Sequence, residues 1–248
     1  MKIGIIGTGY IGGTLIKKLN QAGHDVKISD ARGTHLIPEN LKNSGVRVVE
    51  VMEVFSDVDV AILSVPLVIL PKLVEAVKVA PKECVLIDTS NYYPSRDQKI
   101  DAIEEGKVES IWVKELLGRD IVKAWNAMGS DSLARLGTAS GTPGRLAIPV
   151  AGDDSEHKRV AMQLVDDLGF DPVDSGTLID SWRHQPGSPA YCTDLTVKEL
   201  RDALSTAVKS RLPARRDIAV EAITERFGGD GANPDAAYLV RLNRALFS

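Results

Sequence analysis

Gly7, Gly9 and Gly12 fall in the run Gly7-Thr8-Gly9-Tyr10-Ile11-Gly12, a G-x-G-x-x-G. When such a run follows a strand and opens a helix, it suits the pyrophosphate of a dinucleotide. The first glycine permits a tight turn, the second lets phosphates approach the backbone, and the third lets helix pack on strand. Both flanks fit here. Residues 2–6 carry the β-branched Ile3, Ile5 and Ile6 and read as a buried strand, and Ile11, Leu15, Ile16 and Leu19 follow at helical spacing. Phosphates would then meet the unpaired N–H groups and positive dipole end of that helix.

The next chemistry lies at the end of the second predicted strand, where Asp30, Ala31 and Arg32 stand in sequence. An acid there hydrogen-bonds the adenosine ribose of NAD, whereas an arginine pairs with the 2′-phosphate of NADP. Asp30 and Arg32 pull in opposite directions, so NADP and NAD both remain open. If Asp30 repels the phosphate, Asp30→Asn improves NADPH binding.

Ser64-Val65-Pro66 and Asp88-Thr89-Ser90-Asn91 follow two further predicted strands, and Asn126-Ala127 follows a third. Ligands of open α/β sheets bind at such strand ends. These segments are expected to flank the nicotinamide half, with Asn91 toward a second substrate. Ordinary turns and helix caps use the same residue types. Asn126 suits either the nicotinamide carboxamide or a buried strand-end bridge. Arg183 and His184, at the head of the carboxyl-terminal region, could grip a second substrate or form a surface cluster. The histidines are scattered, no acid–base constellation stands out, and no metal-ligand spacing is present.

These residues need a frame of alternating strands and helices. Strands are predicted at 2–6, 25–29, 46–49, 59–64, 84–88, 121–125, 146–151 and 170–173. Helices are predicted at 11–22, 66–79, 130–136 and 154–168, with a loop at 137–144. That rhythm predicts an α/β fold, a doubly wound and mostly parallel sheet. Residues 1–181 read as the dinucleotide-binding domain. Residues 182–248 read as a small helical region, with helical stretches near 194–211 and 234–247.

The chain has 248 residues, 44% of them hydrophobic, with 30 Lys plus Arg against 34 Asp plus Glu. The slight acidity gives no sign of nucleic-acid binding. Two cysteines rule out a disulfide scaffold. An amino-terminal apolar run too short for a signal peptide and the lack of a bilayer-length segment predict a cytoplasmic protein away from membranes. Tyr238, Leu239, Leu242, Leu246 and Phe247 form a stripe suited to internal packing or to a homodimer.

Several segments together resemble the deazaflavin-dependent NADP oxidoreductases. They are residues 7–13, Gly23-His24-Asp25-Val26, Ser64-Val65-Pro66, residues 121–127, and Pro149-Val150-Ala151-Gly152-Asp153-Asp154. Residues 170–176 and 181–187 are similar to the bacterial branch, and the likeness extends over residues 1–195. The resemblance implies a Rossmann fold and hydride transfer between NADP(H) and a flavin, deazaflavin or related acceptor. It places Thr8, Gly9, Tyr10 and Ile11 on the pyrophosphate and residues 30–32 at the 2′-phosphate. The family usually carries Ser-Arg or Asn-Ser-Arg there; here only Arg32 matches. Reduction of a small carbonyl or imine, and dinucleotide sensing without turnover, are the alternatives.

Overall fold

The computed structural model describes residues 1–228 and 233–247. The predicted helical region is therefore described without residues 229–232 and 248. Among the described residues eight strands form one sheet: β1 (Lys2–Ile6), β2 (Asp25–Ser29), β3 (Arg47–Val48), β4 (Val60–Leu63), β5 (Val85–Asp88), β6 (Val122–Lys123), β7 (Ala147–Gly152) and β8 (Asp171–Asp174). Their order is β3-β2-β1-β4-β5-β6-β7-β8, parallel except where β6 meets β7. The longer helices are α1 (Tyr10–Gln21), α2 (Glu109–Leu117), α3 (Ser130–Arg135), α4 (Ser155–Asp167), α5 (Val197–Thr206), α6 (Leu212–Phe227) and α7 (Ala236–Phe247).

Period-two alternation splits the strand residues between two cores. Ile3, Ile5, Val60, Ile62, Val85 and Ile87 pack with Leu15, Ile16 and Leu19 of α1 and with Leu164 and Val165 of α4. Ile6, Ala61, Leu63 and Leu86 face the other way, onto Leu67, Leu70, Val113 and Leu117. Strands buried on both faces read as continuous apolar runs, which is why they stood out in the sequence.

The structure departs from the sequence reading in several places. The stretch predicted as a helix over 66–79 is a 3-10 helix, Leu67–Leu73, followed by one α turn, Val74–Val77. Pro71 lies inside it and cannot donate to an α-helical ladder. The strand predicted over 121–125 stops at Lys123, because Trp125 adopts a left-handed φ of 58°. The stretch predicted over 194–211 ends its helix at Thr206, and α6 then starts with Pro213 in its first turn. Helices α2 and α6 had no counterpart in the sequence reading. The exposed Ile218 and Phe227 of α6 blur the apolar stripe that would have revealed it.

The carboxyl-terminal helices are tied to the sheet domain. The Ala236 N–H donates to Asp131 Oδ2 at 2.9 Å, and Ser132 Oγ donates to Asp194 Oδ2 at 2.7 Å. Leu200 and Leu204 of α5 pack on Ala147 and Val173. Among the described residues, no helix is long and apolar enough to cross a membrane. No group of three or more His, Cys, Asp or Glu among them could hold a metal ion.

Candidate functional site: a crevice and an adjoining cavity

Strand order reverses between β1 and β4, and a crevice of about 390 Å³ opens at their carboxyl ends. Its walls include Gly9, Tyr10, Ile11, Gly12, Ser64, Val65 and Pro66. The three glycines have three different surroundings. Gly7 has φ +104°, and a Cβ there would lie 2.1 Å from the Ser64 carbonyl oxygen. A Cβ on Gly12 would lie 2.1 Å from the Gly7 carbonyl oxygen. A Cβ on Gly9 would meet nothing within 4 Å among the described residues. Gly7 and Gly12 thus let β1, β4 and α1 close together, while Gly9 keeps the mouth open.

Helix α1 begins at this opening with no acidic residue in its first turn and, among the described residues, no side-chain cap. Its first N–H groups and positive dipole end suit an anion. Two buried polar atoms of the crevice wall, Ser90 Oγ and Trp125 Nε1, also have no partner among the described residues. A diphosphate-linked dinucleotide fits this donor set.

Beside the glycine loop, Asp30 is almost fully buried and accepts four hydrogen bonds. Thr8 Oγ1 donates to Oδ2 at 2.6 Å. The Arg32 backbone N–H and Nε each donate to Oδ1 at 3.0 Å, and Nη2 donates to Oδ2 at 3.2 Å. Burial pushes the carboxyl up, but the hydrogen bonds from Arg32 and Thr8 outweigh it and hold Asp30 below the usual carboxylate range. The Arg32 side chain is 66% exposed. Ala31 is half-buried between them and packs against the apolar core on the Leu67 side.

The opposite wall is built from the ends of β5 and β6. Asn91 and Asn126 form a reciprocal pair: Asn126 Nδ2 donates to Asn91 Oδ1 at 3.0 Å, and Asn91 Nδ2 to the Asn126 carbonyl at 2.9 Å. Asn126 Nδ2 also donates to the His184 carbonyl at 2.9 Å. Its Oδ1 therefore accepts, and the network assigns the proton of His184 to Nδ1, 3.0 Å away. Ser175 Oγ then donates to Nε2 at 3.2 Å. Burial, with the Lys123 ammonium nearby, pushes His184 down to about 3, so the ring is neutral.

A second cavity, about 680 Å³, lies against the crevice, and Tyr93, Arg96, Tyr191 and Leu239 line both. Its floor is apolar, from Ala219, Val220, Ile223 and Phe247. At the shared wall the Tyr93 and Tyr191 hydroxyls are 2.7 Å apart, and Asn91 Nδ2 lies 3.3 Å from Tyr191 Oη. Burial pushes both phenols above the ordinary tyrosine range, which keeps them protonated. Arg96 holds this wall in place. Its guanidinium lies 5.3 Å from the Tyr93 ring centroid and is paired with Asp97 at 2.7 Å.

Gly9, Tyr10, Ile11, Gly12, Ser64, Val65, Pro66, Asn91 and Asn126 thus meet in one crevice. Gly7, Thr8, Asp30 and Arg32 stand behind or beside the loop, and buried Ala127 adjoins Asn126 without lining the opening. Arg183 is directed elsewhere, stacked on Trp182 at 4.5 Å and donating to the Leu204 carbonyl. Among the described residues, His184 is hydrogen-bonded to Asn126 and does not itself line the crevice. Tyr93 and Tyr191 escaped the sequence reading because 98 positions separate them. Their one local signal was the scarcity of tyrosine, five in the chain.

A reversed strand order, a glycine loop and an open helix start define a Rossmann-type dinucleotide-binding protein. A family model described as NADP oxidoreductase, coenzyme F420-dependent, matches residues 2–92. The Escherichia coli K12 protein YjhV is 39% identical over 106 residues, which span 43% of this chain and 74% of YjhV. The structure of hypothetical protein SMa0349 from Sinorhizobium meliloti is 29% identical with a TM-score of 0.65, over 79% of this chain and 95% of that one. That of a candidate F420-dependent NADP reductase from Arthrobacter sp. FB24 is 21% identical with a TM-score of 0.55, over 72% and 86%; it shares the fold. The chain belongs to the F420-dependent NADP oxidoreductase family, a family of NADP-dependent oxidoreductases.

Proposed function

We propose that the protein transfers hydride between NADP(H) in the crevice and a flavin or deazaflavin ring in the adjoining cavity. The carrying observation is the wall that the two spaces share, formed by Tyr93, Arg96, Tyr191 and Leu239. A bound nicotinamide supplies the carbon that gives or takes the hydride. The protein's part is alignment and exclusion of water. The N–H groups of residues 10–12 hold the diphosphate, and Asn91 and Asn126, locked to each other, set a fixed edge beside the ring. The apolar floor of Ala219, Val220, Ile223 and Phe247 suits a flat ring system and is of ordinary ligand size.

Titration with NADPH and NADH, followed by oxidation assays with a flavin, a deazaflavin and ferric chelates, tests this reading. Tight binding with ring-acceptor turnover is expected. Binding with no turnover on any acceptor points to a sensor instead.

Reduction of a small carbonyl or imine is the second reading, and the Tyr93–Tyr191 pair favours it. Such an acceptor needs a proton on its heteroatom, and a buried neutral phenol is a suitable donor. Asn91 Nδ2 and the Tyr93 hydroxyl both face Tyr191 Oη, so they can stabilise the phenolate left after donation. Turnover of ketones or cyclic imines in preference to flavins would establish this reading.

A homodimer remains part of the proposal. It rests on the half-buried Tyr238, Leu239, Leu242 and Leu246 of α7, and light scattering tests it.

A further inference from the structure

Asp30 stands where an acid commonly accepts hydrogen bonds from the adenosine ribose of NAD. In this chain its acceptor capacity is already used. A carboxylate offers about four lone-pair sites, and four donors occupy them: Thr8 Oγ1, the Arg32 backbone N–H, Arg32 Nε and Arg32 Nη2. The carboxylate is buried, while the Arg32 side chain it holds is mostly exposed. The side-on pairing through Nε and Nη2 fixes the plane of the guanidinium and leaves Nη1 outside the pair. A turn closes the segment, with the Gly33 N–H donating to the Asp30 carbonyl at 2.9 Å. Thr8 ties the same carboxylate to the glycine loop, so the arginine is held in register with the diphosphate site.

We propose that Asp30 is the positioning residue of a 2′-phosphate site: it orients Arg32 toward the phosphate of NADP and is not itself a ribose acceptor for NAD. The inference rests on the dinucleotide reading of the crevice and deepens it. It also reverses the sign expected from the sequence, where Asp30 reads as an obstacle to the phosphate. The geometry explains why the two residues can coexist. Arg32 neutralises Asp30 through a bidentate contact, and the exposed guanidinium edge presents positive charge outward.

The test measures binding and needs no acceptor. Dissociation constants are measured for NADPH and NADH, and for adenosine 2′,5′-bisphosphate against adenosine 5′-monophosphate. The proteins are the wild type, Asp30→Asn, Arg32→Ala and the double variant. Wild type is expected to prefer the 2′-phosphorylated member of each pair. Asp30→Asn, close in shape, is expected to lower that preference about tenfold through weaker binding of the phosphorylated ligand. In the Arg32→Ala background it should change the preference no further, because Asp30 acts only through Arg32.

Tighter NADPH binding by Asp30→Asn would overturn the inference, since it would make the acid a repulsive group. Selective loss of NADH would overturn it by making Asp30 a ribose ligand. An equal loss of both dinucleotides would show only a folding effect and overturn it as well. If wild type binds neither dinucleotide, the crevice reading fails and takes the inference with it.

Discussion

Lys123 and Asp88 form an ion pair, Nζ to Oδ2 at 2.6 Å, in which neither side chain reaches solvent. The pair joins the carboxyl ends of β5 and β6, and Lys123 Nζ also donates to the Ser90 carbonyl. It thereby fixes the turn that leads into Asn91, and it marks Lys123 as a structural clamp under the crevice floor.

Removing one partner of such a pair leaves a buried charge uncompensated, at a cost of about 3–5 kcal/mol. Lys123→Met is therefore expected to lower the melting temperature by about 10 °C. Calorimetry checks this. An unchanged melting temperature would mean that the pair contributes nothing to stability.

Glu109 is buried beneath Tyr92, whose backbone N–H donates to its Oε2 at 3.1 Å. Burial pushes its carboxyl up to about 7, against the opposing pull of Lys123. A raised carboxyl favours the folded state fully below its ordinary value of 4.5, and that contribution is lost as pH rises through 7. Glu109→Gln keeps an acceptor for Tyr92 and does not titrate. The variant should gain on wild type between pH 4.5 and 7 and then hold a constant advantage of about 1–3 kcal/mol. Thermal melts at pH 4.5, 6 and 8 measure the gap; a gap independent of pH would contradict a protonated Glu109.

The glycine loop separates folding from binding. A Cβ at Gly12 would collide with the Gly7 carbonyl, whereas one at Gly9 would meet no described neighbour. Gly12→Ala should lose about 1–3 kcal/mol of stability together with NADPH binding. Gly9→Ala should melt with wild type yet bind NADPH at least about tenfold more weakly, since its methyl occupies the space phosphates need. Paired melting and titration data decide it. A Gly9→Ala protein of full affinity would remove Gly9 from the phosphate site.

Tyr191→Phe tests the phenol pair. If Tyr191 supplies a proton to a carbonyl or imine, kcat on such an acceptor should fall about 100-fold with the NADPH dissociation constant unchanged. On a flavin, whose reduced ring spreads its charge, the loss should be small. Equal losses on both acceptors would assign Tyr191 to cavity shape and not to proton transfer.

The frame of this protein is written locally. Ile3, Ile5 and Ile6 mark a doubly buried strand, and Gly7, Gly9 and Gly12 mark the turn after it, because strand period and glycine spacing are properties of short segments. These residues were sufficient to place the crevice and to predict the sheet. Helix α6 was not legible, since Ile218 and Phe227 are exposed and its stability comes from the surfaces on which it packs. The site's polar connections were also beyond the sequence. Asn126 meets His184 across 58 positions and Tyr93 meets Tyr191 across 98, while Asp30 spends its lone pairs on Arg32 and Thr8. Hydrogen-bond partners are chosen by direction and burial in three dimensions, so only the tertiary structure could decide which polar groups are already satisfied and which still face a ligand.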